Sequence, residues 1–432
     1  MVFGGDFIMN RKQFNRMKGR GNNQRQPQQK RVCETPEAKG AQKIDTQMDK
    51  QIDDQMENCN QVSNKSNDRM GNKNAEINHK NAESMENDIK AIEADMKAME
   101  AGMKVIEADK GAILVNGYAY PSIAPEILNQ WLPDLTFVST FSYGLTADGE
   151  LVQLDDENII VPANRVGVMS LMVLTPLDEE GIFNDEIASE LFRNPIAKQN
   201  LIDNILANIR AKNMFGVDFD FEYIQAEFRD DYTSLVESAT LQLNAEGYIV
   251  TAALAPKVSA DQEGLLYEGI DYEGLGAAAN LVTLMTYEWG YTFGPPLPVA
   301  PINEVRRVLD FGVSVINPEK ILMGIPNYGY DWTLPYVKGT RARKVTLDEA
   351  VQIAERYGVE IFYDEVAQSP YFYYTNEEGI EHVVWFEDAR SMRAKLNLIT
   401  EYGLAGACYW NIMSYFADGS AVLNEMFTVA KV

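Results

Sequence analysis

Three acidic residues alternate with apolar ones in the segment from Gly216 to Tyr223, which reads GVDFDFEY. Side chains two apart on a strand share a face, so the pattern predicts a strand that turns Asp218, Asp220 and Glu222 to one side. Burying ionised carboxylates without partners costs several kcal/mol each, and no basic run lies nearby in sequence, so a purely structural strand is disfavoured. Crowded acids share protons, which raises the pKa of at least one of them. The segment therefore predicts a carboxylic acid that stays protonated near neutral pH and acts as a general acid.

The position of the acids also favours one type of sugar chemistry. Asp220 and Glu222 rise from one strand on one side of a pocket, so they are poorly placed to act on opposite faces of a sugar ring. This argues against the usual pair of flanking carboxylates. It favours the substrate-assisted exception, in which the N-acetyl group of the sugar is the nucleophile.

Charge and composition exclude several other kinds of protein. The 432 residues carry a formal net charge of −26, which argues against nucleic-acid binding because phosphates need a basic face. The three cysteines, Cys33, Cys59 and Cys408, are too few for a disulfide framework or a Cys-rich zinc site. With only His79 and His382, a His-based zinc site and a Ser-His-Asp triad are poorly supported. We therefore expect no metal and no other cofactor.

From residue 111 onwards, short β-rich runs alternate with helical patterns. These predicted strands and helices could position the acids. The predicted strands are 111–118, 135–143, 166–174, 215–223, 247–255, 281–287, 320–328 and 404–411. Helical patterns between them include 201–213, 303–316 and 387–403. Eight strand and helix units predict an α/β fold, a TIM (β/α)8 barrel over 111–432. The long gap between the seventh and eighth strands predicts a small α+β insertion at about 333–384.

The first 110 residues differ in composition from the predicted barrel. They carry 19 basic and 18 acidic residues, against 19 basic and 46 acidic in the remainder, and no aromatic residue occurs between Phe14 and Tyr118. Such a segment buries too little apolar surface to offset its ordering entropy, so 1–84 is predicted to be a largely disordered polar arm.

A short helix is predicted over 85–110. Apolar residues recur there with alternating gaps of four and three: Met85, Ile89, Ile92, Met96, Met99, Met103 and Ile106. The spacing fits a coiled coil that self-associates through 85–106, and it fits equally an amphipathic helix packed on the following domain.

No secretion signal or membrane span is expected. The apolar stretch at the N-terminus, MVFGGDFIMN, is short, is interrupted by Asp6 and has its basic residues after it. No run elsewhere reaches the roughly 18 consecutive apolar residues of a membrane span.

The acidic segment resembles the fourth-strand signature of glycoside hydrolase family 18, D-G-x-D-x-D-x-E, with Phe215 in place of the first Asp. The resemblance implies that Glu222 protonates the glycosidic oxygen. It also implies that Asp220 orients the acetamido group and that Asp218 supports Asp220.

Further residues carry the resemblance at other strand ends. In Met285-Thr286-Tyr287-Glu288, Tyr287 would bond the acetamido oxygen, and Trp410 on the eighth strand resembles the apolar floor under the distorted sugar. Glu288 stands where many members have Asp. With Tyr328, it is implied to bind substrate. Taken alone, Tyr287 and Trp410 would more often be core aromatics, but their position at strand ends near the acids favours a functional role.

Three segments resemble the spore-germination branch of the family, the cortex-lytic N-acetylglucosaminidases. They are 325–336 (IPNYGYDWTLPY), 368–374 (QSPYFYY) and 384–391 (VWFEDARS). The third strand ends in VMSLMVLTPL without the Ser-x-Gly-Gly turn usual in chitinases, which favours peptidoglycan over chitin. Members of this branch commonly carry N-terminal LysM repeats, and we find none in 1–110. The resemblance implies synthesis in the mother cell and deposition on the spore.

Three functions follow as alternatives. The first is hydrolysis of N-acetylglucosaminyl bonds in peptidoglycan or a related glycan by retaining, substrate-assisted catalysis, and the second is a chitinase or chitooligosaccharide hydrolase. The third is of another class, a non-catalytic glycan-binding or spore-coat structural protein. Silent members typically lose the acid that Glu222 supplies, which favours an enzyme.

Overall fold

The computed structural model of the chain describes residues 111–177 and 184–431. The predicted polar arm at 1–84 and the predicted helix at 85–110, with its seam at 85–106, lie outside the described residues. Within the described ranges, no helix combines the length and apolar character needed to cross a membrane.

Eight parallel strands form a closed barrel, because the first strand pairs with both the second and the last. The barrel strands are β1 (Ala112–Ala119), β2 (Phe137–Leu145), β4 (Met169–Leu174), β5 (Gly216–Phe219), β6 (Ile249–Leu254), β7 (Leu281–Leu284), β8 (Ile321–Pro326) and β14 (Gly406–Trp410). Each overlaps one of the eight predicted strands, and their side chains are almost entirely buried. The predicted TIM barrel is confirmed.

Helices follow most barrel strands and cover the outside of the barrel. They are Pro125–Trp131, Glu157–Arg165, Asp185–Arg193, Pro195–Lys212, Arg229–Asn244, Tyr272–Ala278, Ile302–Val315, Ala389–Tyr402 and Ala417–Met426. Local signals set several of their ends. The Asn194 side chain accepts hydrogen bonds from the first backbone N–H groups of Pro195–Lys212, and Gly403 ends Ala389–Tyr402 with a φ of 65°.

Two very short strands extend the sheet at its margins. β3 (Leu151–Val152) pairs antiparallel with β2, and β15 (Thr428–Val429) pairs parallel with the start of β1. Neither was predicted, because two-residue strands carry no readable periodicity.

A small α+β insertion lies between β8 and β14, as predicted. Its five-stranded antiparallel sheet has the order β10-β9-β13-β12-β11 and is joined by the helix Leu347–Tyr357. The strands are β9 (Gly329–Thr333), β10 (Arg343–Val345), β11 (Phe362–Asp364), β12 (Ser369–Thr375) and β13 (Glu381–Trp385). The sheet thus begins at Gly329, before the expected boundary near 333, because β9 follows β8 almost directly and the two read as one apolar run.

Gly216 shows why the acidic strand needs a glycine at its start. A Cβ at this position would lie 2.2 Å from the backbone oxygen of Ile249 on the neighbouring strand, far inside van der Waals contact. A larger residue would force β5 and β6 apart. The glycine of the sequence motif therefore sets the position of the acids that follow it.

Candidate active site

The acidic segment lies at the carboxyl end of β5, the rim where barrel active sites form. The strand ends at Phe219, earlier than the predicted 223, although the backbone N–H of Asp220 still donates to the oxygen of Leu174 at 3.0 Å. Tyr223 has a φ of 59°, so the chain turns away there. Asp218 thus lies on the strand, whereas Asp220 and Glu222 stand just beyond it.

Asp218 is buried inside the barrel and both of its oxygens are bonded. One accepts from the hydroxyl of Tyr118 on β1 and the other from Thr251 on β6, each at 2.5 Å. Burial raises the pKa of Asp218, while these two hydrogen bonds oppose the rise. Two donors suit a charged carboxylate, so the geometry favours a negative charge at the base of the acidic segment.

Asp220 and Glu222 are also buried, but each keeps one oxygen that bonds to nothing within 111–177 and 184–431. These atoms are Oδ1 of Asp220 and Oε2 of Glu222. Burial, and then the charge of Asp218, raise the pKa of Asp220 to about 8. Burial, and then the charge of Asp220, raise the pKa of Glu222 well above its ordinary value. At least one of the two carboxyl groups therefore stays protonated near neutral pH.

These two acids share a pocket with residues from five other strand ends. The pocket is lined by Tyr118, Phe141, Asp220, Glu222, Ala253, Met285, Tyr287 and Trp410. Both unpartnered carboxylate oxygens thus belong to residues that line one cavity. In a native structure, buried polar atoms without partners are rare and call for an explanation, which a bound substrate supplies.

Tyr287 lies in this pocket beyond the end of β7, and Gly324 makes room for it. A Cβ at Gly324 would lie 2.7 Å from Cε1 of the Tyr287 ring. Burial raises the pKa of Tyr287, and nearby groups that include Asp220 and Glu222 raise it further, so its hydroxyl stays protonated. Tyr287 can therefore donate a hydrogen bond to a substrate acceptor.

Trp410, at the end of β14, forms an apolar wall with rings that lie on or directly after the adjoining strands β1 and β2. Its ring centroid lies 4.9 Å from that of Phe141, 5.3 Å from Tyr118 and 6.2 Å from Tyr120, all edge to face. The indole is 7% exposed. The peptide bond after Trp410 is cis, as is the one after Phe141.

Glu288 and Tyr328 lie beside the pocket, outside its lining, and bond to each other. Glu288 accepts hydrogen bonds from the hydroxyls of Tyr328 and Tyr330, the latter at 3.0 Å. Burial raises the pKa of Glu288 to about 7, although the two hydrogen bonds oppose the rise. The charge of Glu288 in turn raises the pKa of Glu222. The structure thus connects Glu288 to the insertion sheet and couples it electrostatically to Glu222.

Three residues that line the pocket or bond to its acids were not predicted from the sequence. Tyr118 and Phe141 sit in apolar runs and read as core residues, and only the barrel closure brings them to Asp218 and Trp410. Thr251 had a signal, since it is the one hydroxyl residue in the apolar run IVTAALA from 249 to 255. A lone hydroxyl on a fully buried strand needs a partner.

No metal site accompanies these residues in the part of the chain that the structure describes. No group of three or more His, Cys, Asp or Glu side chains is arranged there to hold an ion. The donors around Asp218 are hydroxyl groups, and the oxygens of Asp220 and Glu222 face a pocket walled by aromatic rings.

Comparison with known proteins gives matches to this barrel. Residues 185–414 match the model of glycosyl hydrolases family 18. The cortical fragment-lytic enzyme of Bacillus subtilis (strain 168) is 39% identical over 300 residues, 69% of each chain. The structure of the Bacillus cereus spore cortex-lytic enzyme SleL aligns with a TM-score of 0.72 at 34% identity, over 75% of this chain and 76% of that one. A chitinase from Chromobacterium violaceum aligns with a TM-score of 0.68 at 25% identity, over 73% of this chain and 98% of its own.

Proposed function

This chain belongs to glycosyl hydrolase family 18 and is a glycoside hydrolase, and from that premise we propose that it cleaves N-acetylglucosaminyl bonds in the peptidoglycan of the spore cortex. The observation that carries the proposal is the pair of unpartnered oxygens on Asp220 and Glu222 in one aromatic-walled pocket. The names of its relatives, a cortical fragment-lytic enzyme and a spore cortex-lytic enzyme, supply the substrate class.

We assign the proton transfer to Glu222. Its raised pKa keeps the carboxyl protonated, and its free oxygen can reach the glycosidic oxygen of a bound sugar. Protonation of that oxygen as the bond breaks lets the sugar leave as a neutral alcohol, so the leaving group need not develop full negative charge.

We assign Asp220 and Tyr287 to the acetamido group of the same sugar. The acetamido oxygen attacks the anomeric carbon as the glycosidic bond breaks, and a positive charge develops on the acetamido group. Asp220 can accept the N–H of that group, and the Tyr287 hydroxyl can donate to its oxygen. Asp218, whose two donors favour its charged form, supports Asp220 from below.

The remaining site residues fit a supporting role. Trp410 and Phe141 supply an apolar surface for the sugar ring and exclude water from the reacting centre. Glu288 and Tyr328 are proposed to hold the substrate side of the pocket in position through their mutual hydrogen bond, next to Glu222. Water then opens the cyclised intermediate with Glu222 as the base, which retains the anomeric configuration.

The test is hydrolysis of purified cortex fragments by the whole chain, with products analysed by mass spectrometry. We expect new reducing ends at N-acetylglucosamine and inhibition by thiazoline analogues of the cyclised sugar. Oligosaccharides de-N-acetylated at the cleaved residue should resist hydrolysis. Turnover of chitin oligomers without turnover of cortex fragments would assign a chitinase instead. Binding without turnover of either would indicate a glycan-binding protein, and a covalent glycosyl-enzyme on an acidic residue would overturn the mechanism.

A further inference from the structure

One lysine is buried in the loop that connects β6 to the helix Tyr272–Ala278. Lys257 is 1% exposed. Its ammonium group donates to the backbone oxygens of Ala260 and Tyr267, each at 3.1 Å, and of Ile270 at 2.9 Å. An ammonium group has three N–H donors, so each donor has one acceptor. Lysine is almost never fully buried without such partners, and here the loop itself provides them.

The geometry around Lys257 favours its charged form. Burial, and then the charge of Arg229, lower the pKa of Lys257, while the charges of Asp271, Asp261 and Glu268 oppose this effect. A neutral amine has only two N–H donors and would turn its lone pair toward the third carbonyl oxygen. Three carbonyl acceptors therefore suit an ammonium cation and not an amine.

The bonds of Lys257 join the two ends of the loop. Ala260 lies near its beginning and Ile270 near its end, and the same ammonium group bonds both. The backbone N–H of Lys257 also donates to the hydroxyl of Tyr272 at 3.0 Å, and that hydroxyl donates to the oxygen of Ala255 at 2.6 Å. The loop thus has a defined conformation that depends on one buried side chain.

This loop contacts the segment that carries the catalytic acid. A Cβ at Gly269 would lie 2.3 Å from the backbone oxygen of Ile224 and 2.6 Å from its Cβ, so the two backbones approach as only glycine allows. Ile224 follows Glu222 by two residues. The carbonyl groups that Lys257 bonds at positions 267 and 270 lie on either side of Gly269. The contact with Ile224 therefore depends on the order of the loop.

The turn between Glu222 and Ile224 needs support from outside. Tyr223 has a φ of 59°, and a residue other than glycine keeps such a backbone conformation only where its surroundings hold it. The buried position of Glu222, which raises its pKa, depends on the same turn.

We propose that Lys257 is a positioning residue for Glu222, an inference that rests on the proposed function. Lys257 orders the loop after β6, the loop holds Gly269 against Ile224, and this contact sets the position of the Glu222 carboxyl relative to the glycosidic oxygen. Lys257 acts through these contacts and lies outside the lining of the pocket.

Lys320 provides a matched control for a lysine that only stabilises the fold. Its ammonium group also bonds backbone oxygens, those of Gly276 and of Ala277, and burial lowers its pKa. Lys320 directly precedes β8, at the amino end of the strand and away from the catalytic rim. The same substitution at the two lysines therefore separates positioning of the acid from general stability.

The test measures kcat and KM on cortex fragments as a function of pH for wild type, Lys257→Met and Lys320→Met. Methionine keeps the length of the side chain but has no N–H donor. We expect Lys257→Met to lower kcat about tenfold and to change KM less than about twofold, because a displaced acid affects the transition state more than substrate binding.

The pH profile gives a second readout. In Lys257→Met, a looser turn admits water to Glu222 and lowers its pKa, while the other groups that face it, Asp220, Glu288 and Tyr287, are unchanged. Because the acid must be protonated, the loss of kcat with rising pH should begin about one pH unit lower than in wild type. Lys320→Met should lose stability but keep the wild-type kcat and pH profile.

Two further variants keep the test valid if Lys257→Met folds poorly. In Lys257→Ala, propylammonium supplies the atoms that the substitution removes, so it should restore part of kcat, whereas propanol should not. Gly269→Ala leaves Lys257 intact but displaces Ile224, so it should shift the pH profile in the same direction as Lys257→Met.

Several results would overturn the inference. An unchanged kcat and pH profile in Lys257→Met would show that the loop does not position the acid. Equal losses in Lys257→Met and Lys320→Met, with no rescue of Lys257→Ala, would show that Lys257 only stabilises the fold. Wild type that leaves cortex fragments and chitin oligomers intact would count against the proposed function. The pKa of Glu222, measured by carbon NMR in wild type and Lys257→Met, would then test the positioning by itself, and equal values would contradict it.

Discussion

At the carboxyl rim of the barrel, Asp220 and Glu222 each keep one buried oxygen without a partner among the described residues. In the insertion sheet, Asp331 is equally buried, but it accepts from His382 and Tyr374 at 2.8 Å and from Arg343 at 3.3 Å. The two regions therefore differ in whether a buried carboxylate has hydrogen-bond donors for both of its oxygens. In the insertion sheet, hydrogen-bond donors surround the buried acid and stabilise the fold. At the barrel rim, one oxygen of each acid has no donor among the described residues, which costs stability and leaves that oxygen available for catalysis.

The largest expected effect that tests this contrast is on catalysis. Glu222→Gln keeps the shape of the side chain but cannot supply the proton, so turnover of cortex fragments should fall by about 10² to 10⁴. The matched control is Glu227→Gln, because Glu227 lies five residues later on the surface in a pair with Arg193. Circular dichroism should show both variants folded. Near-wild-type turnover of Glu222→Gln would remove it from the role of acid.

The second effect is on the stability of the insertion sheet. Asp331→Ala leaves His382, Arg343 and the Tyr374 hydroxyl without their shared acceptor, so the free energy of unfolding should fall by about 3 kcal/mol. Glu378→Ala, in an exposed turn of the same sheet, should change it by less than about 0.5 kcal/mol. Urea denaturation measures both. If the two variants lost the same small amount, Asp331 would not be the structural counterpart of the catalytic acids.

A third effect concerns how the active site stabilises the charge of Asp218. Tyr118→Phe removes one of the two donors to Asp218, so the charged form of Asp218 becomes more costly and kcat/KM should fall about tenfold. Tyr143→Phe is the control, because the Tyr143 hydroxyl donates to buried Asp156 at 2.8 Å outside the pocket lining. It should lose stability but keep kcat/KM. Equal kinetic losses in the two variants would mean that any buried tyrosine hydroxyl matters, whatever carboxylate it bonds.

The smallest effect is a pH dependence of stability. The pKa values of Asp220 and Glu222 are raised in the folded state, Asp220 to about 8, so the folded protein binds more protons than the unfolded chain above about pH 4. The stabilising contribution of the two acids to the free energy of unfolding is fully present below that pH. It is lost as pH rises through the folded pKa values. Glu222→Gln removes one of these groups.

The thermal midpoint of Glu222→Gln should therefore exceed that of wild type by a few degrees at pH 8 and by less at pH 5. Thermal scans at the two pH values measure the difference. A gain of the same size at both would show that Glu222 titrates normally, in conflict with its burial.

The two regions also differ in how far the sequence reveals them. The eight barrel strands were predictable because each is a short, almost fully apolar run, and the acids were predictable because Asp218, Asp220 and Glu222 interrupt one such run at a spacing of two. The partners of Asp218 were not, since Tyr118 and Thr251 reach it only through strands that are distant along the chain. Their positions depend on the register between strands, which no local pattern encodes.

In the insertion, the sequence predicted a small α+β unit, but not which of its residues would face the site. Tyr328 was expected at the substrate and stays a prediction there. The hydrogen bond from its hydroxyl to Glu288 was not predicted. No local pattern places Tyr330 beside Trp385, because only the pairing of β9 with β13 brings the two residues together. The sequence thus predicted the functional residues that lie on one strand, but not the contacts that form between several strands.

The closure of the barrel has a consequence for how the protein is made. The seam between β1 and β14 joins Asn116 to Cys408, 292 positions apart, and the pocket takes Tyr118 from one side of that seam and Trp410 from the other. On the ribosome, β1 emerges long before its neighbour β14 exists, and contacts so distant along the chain form late in folding. A nascent chain that already displays Glu222 therefore lacks the wall that holds a sugar against it, and degradative activity appears only after residue 410 has been synthesised and docked.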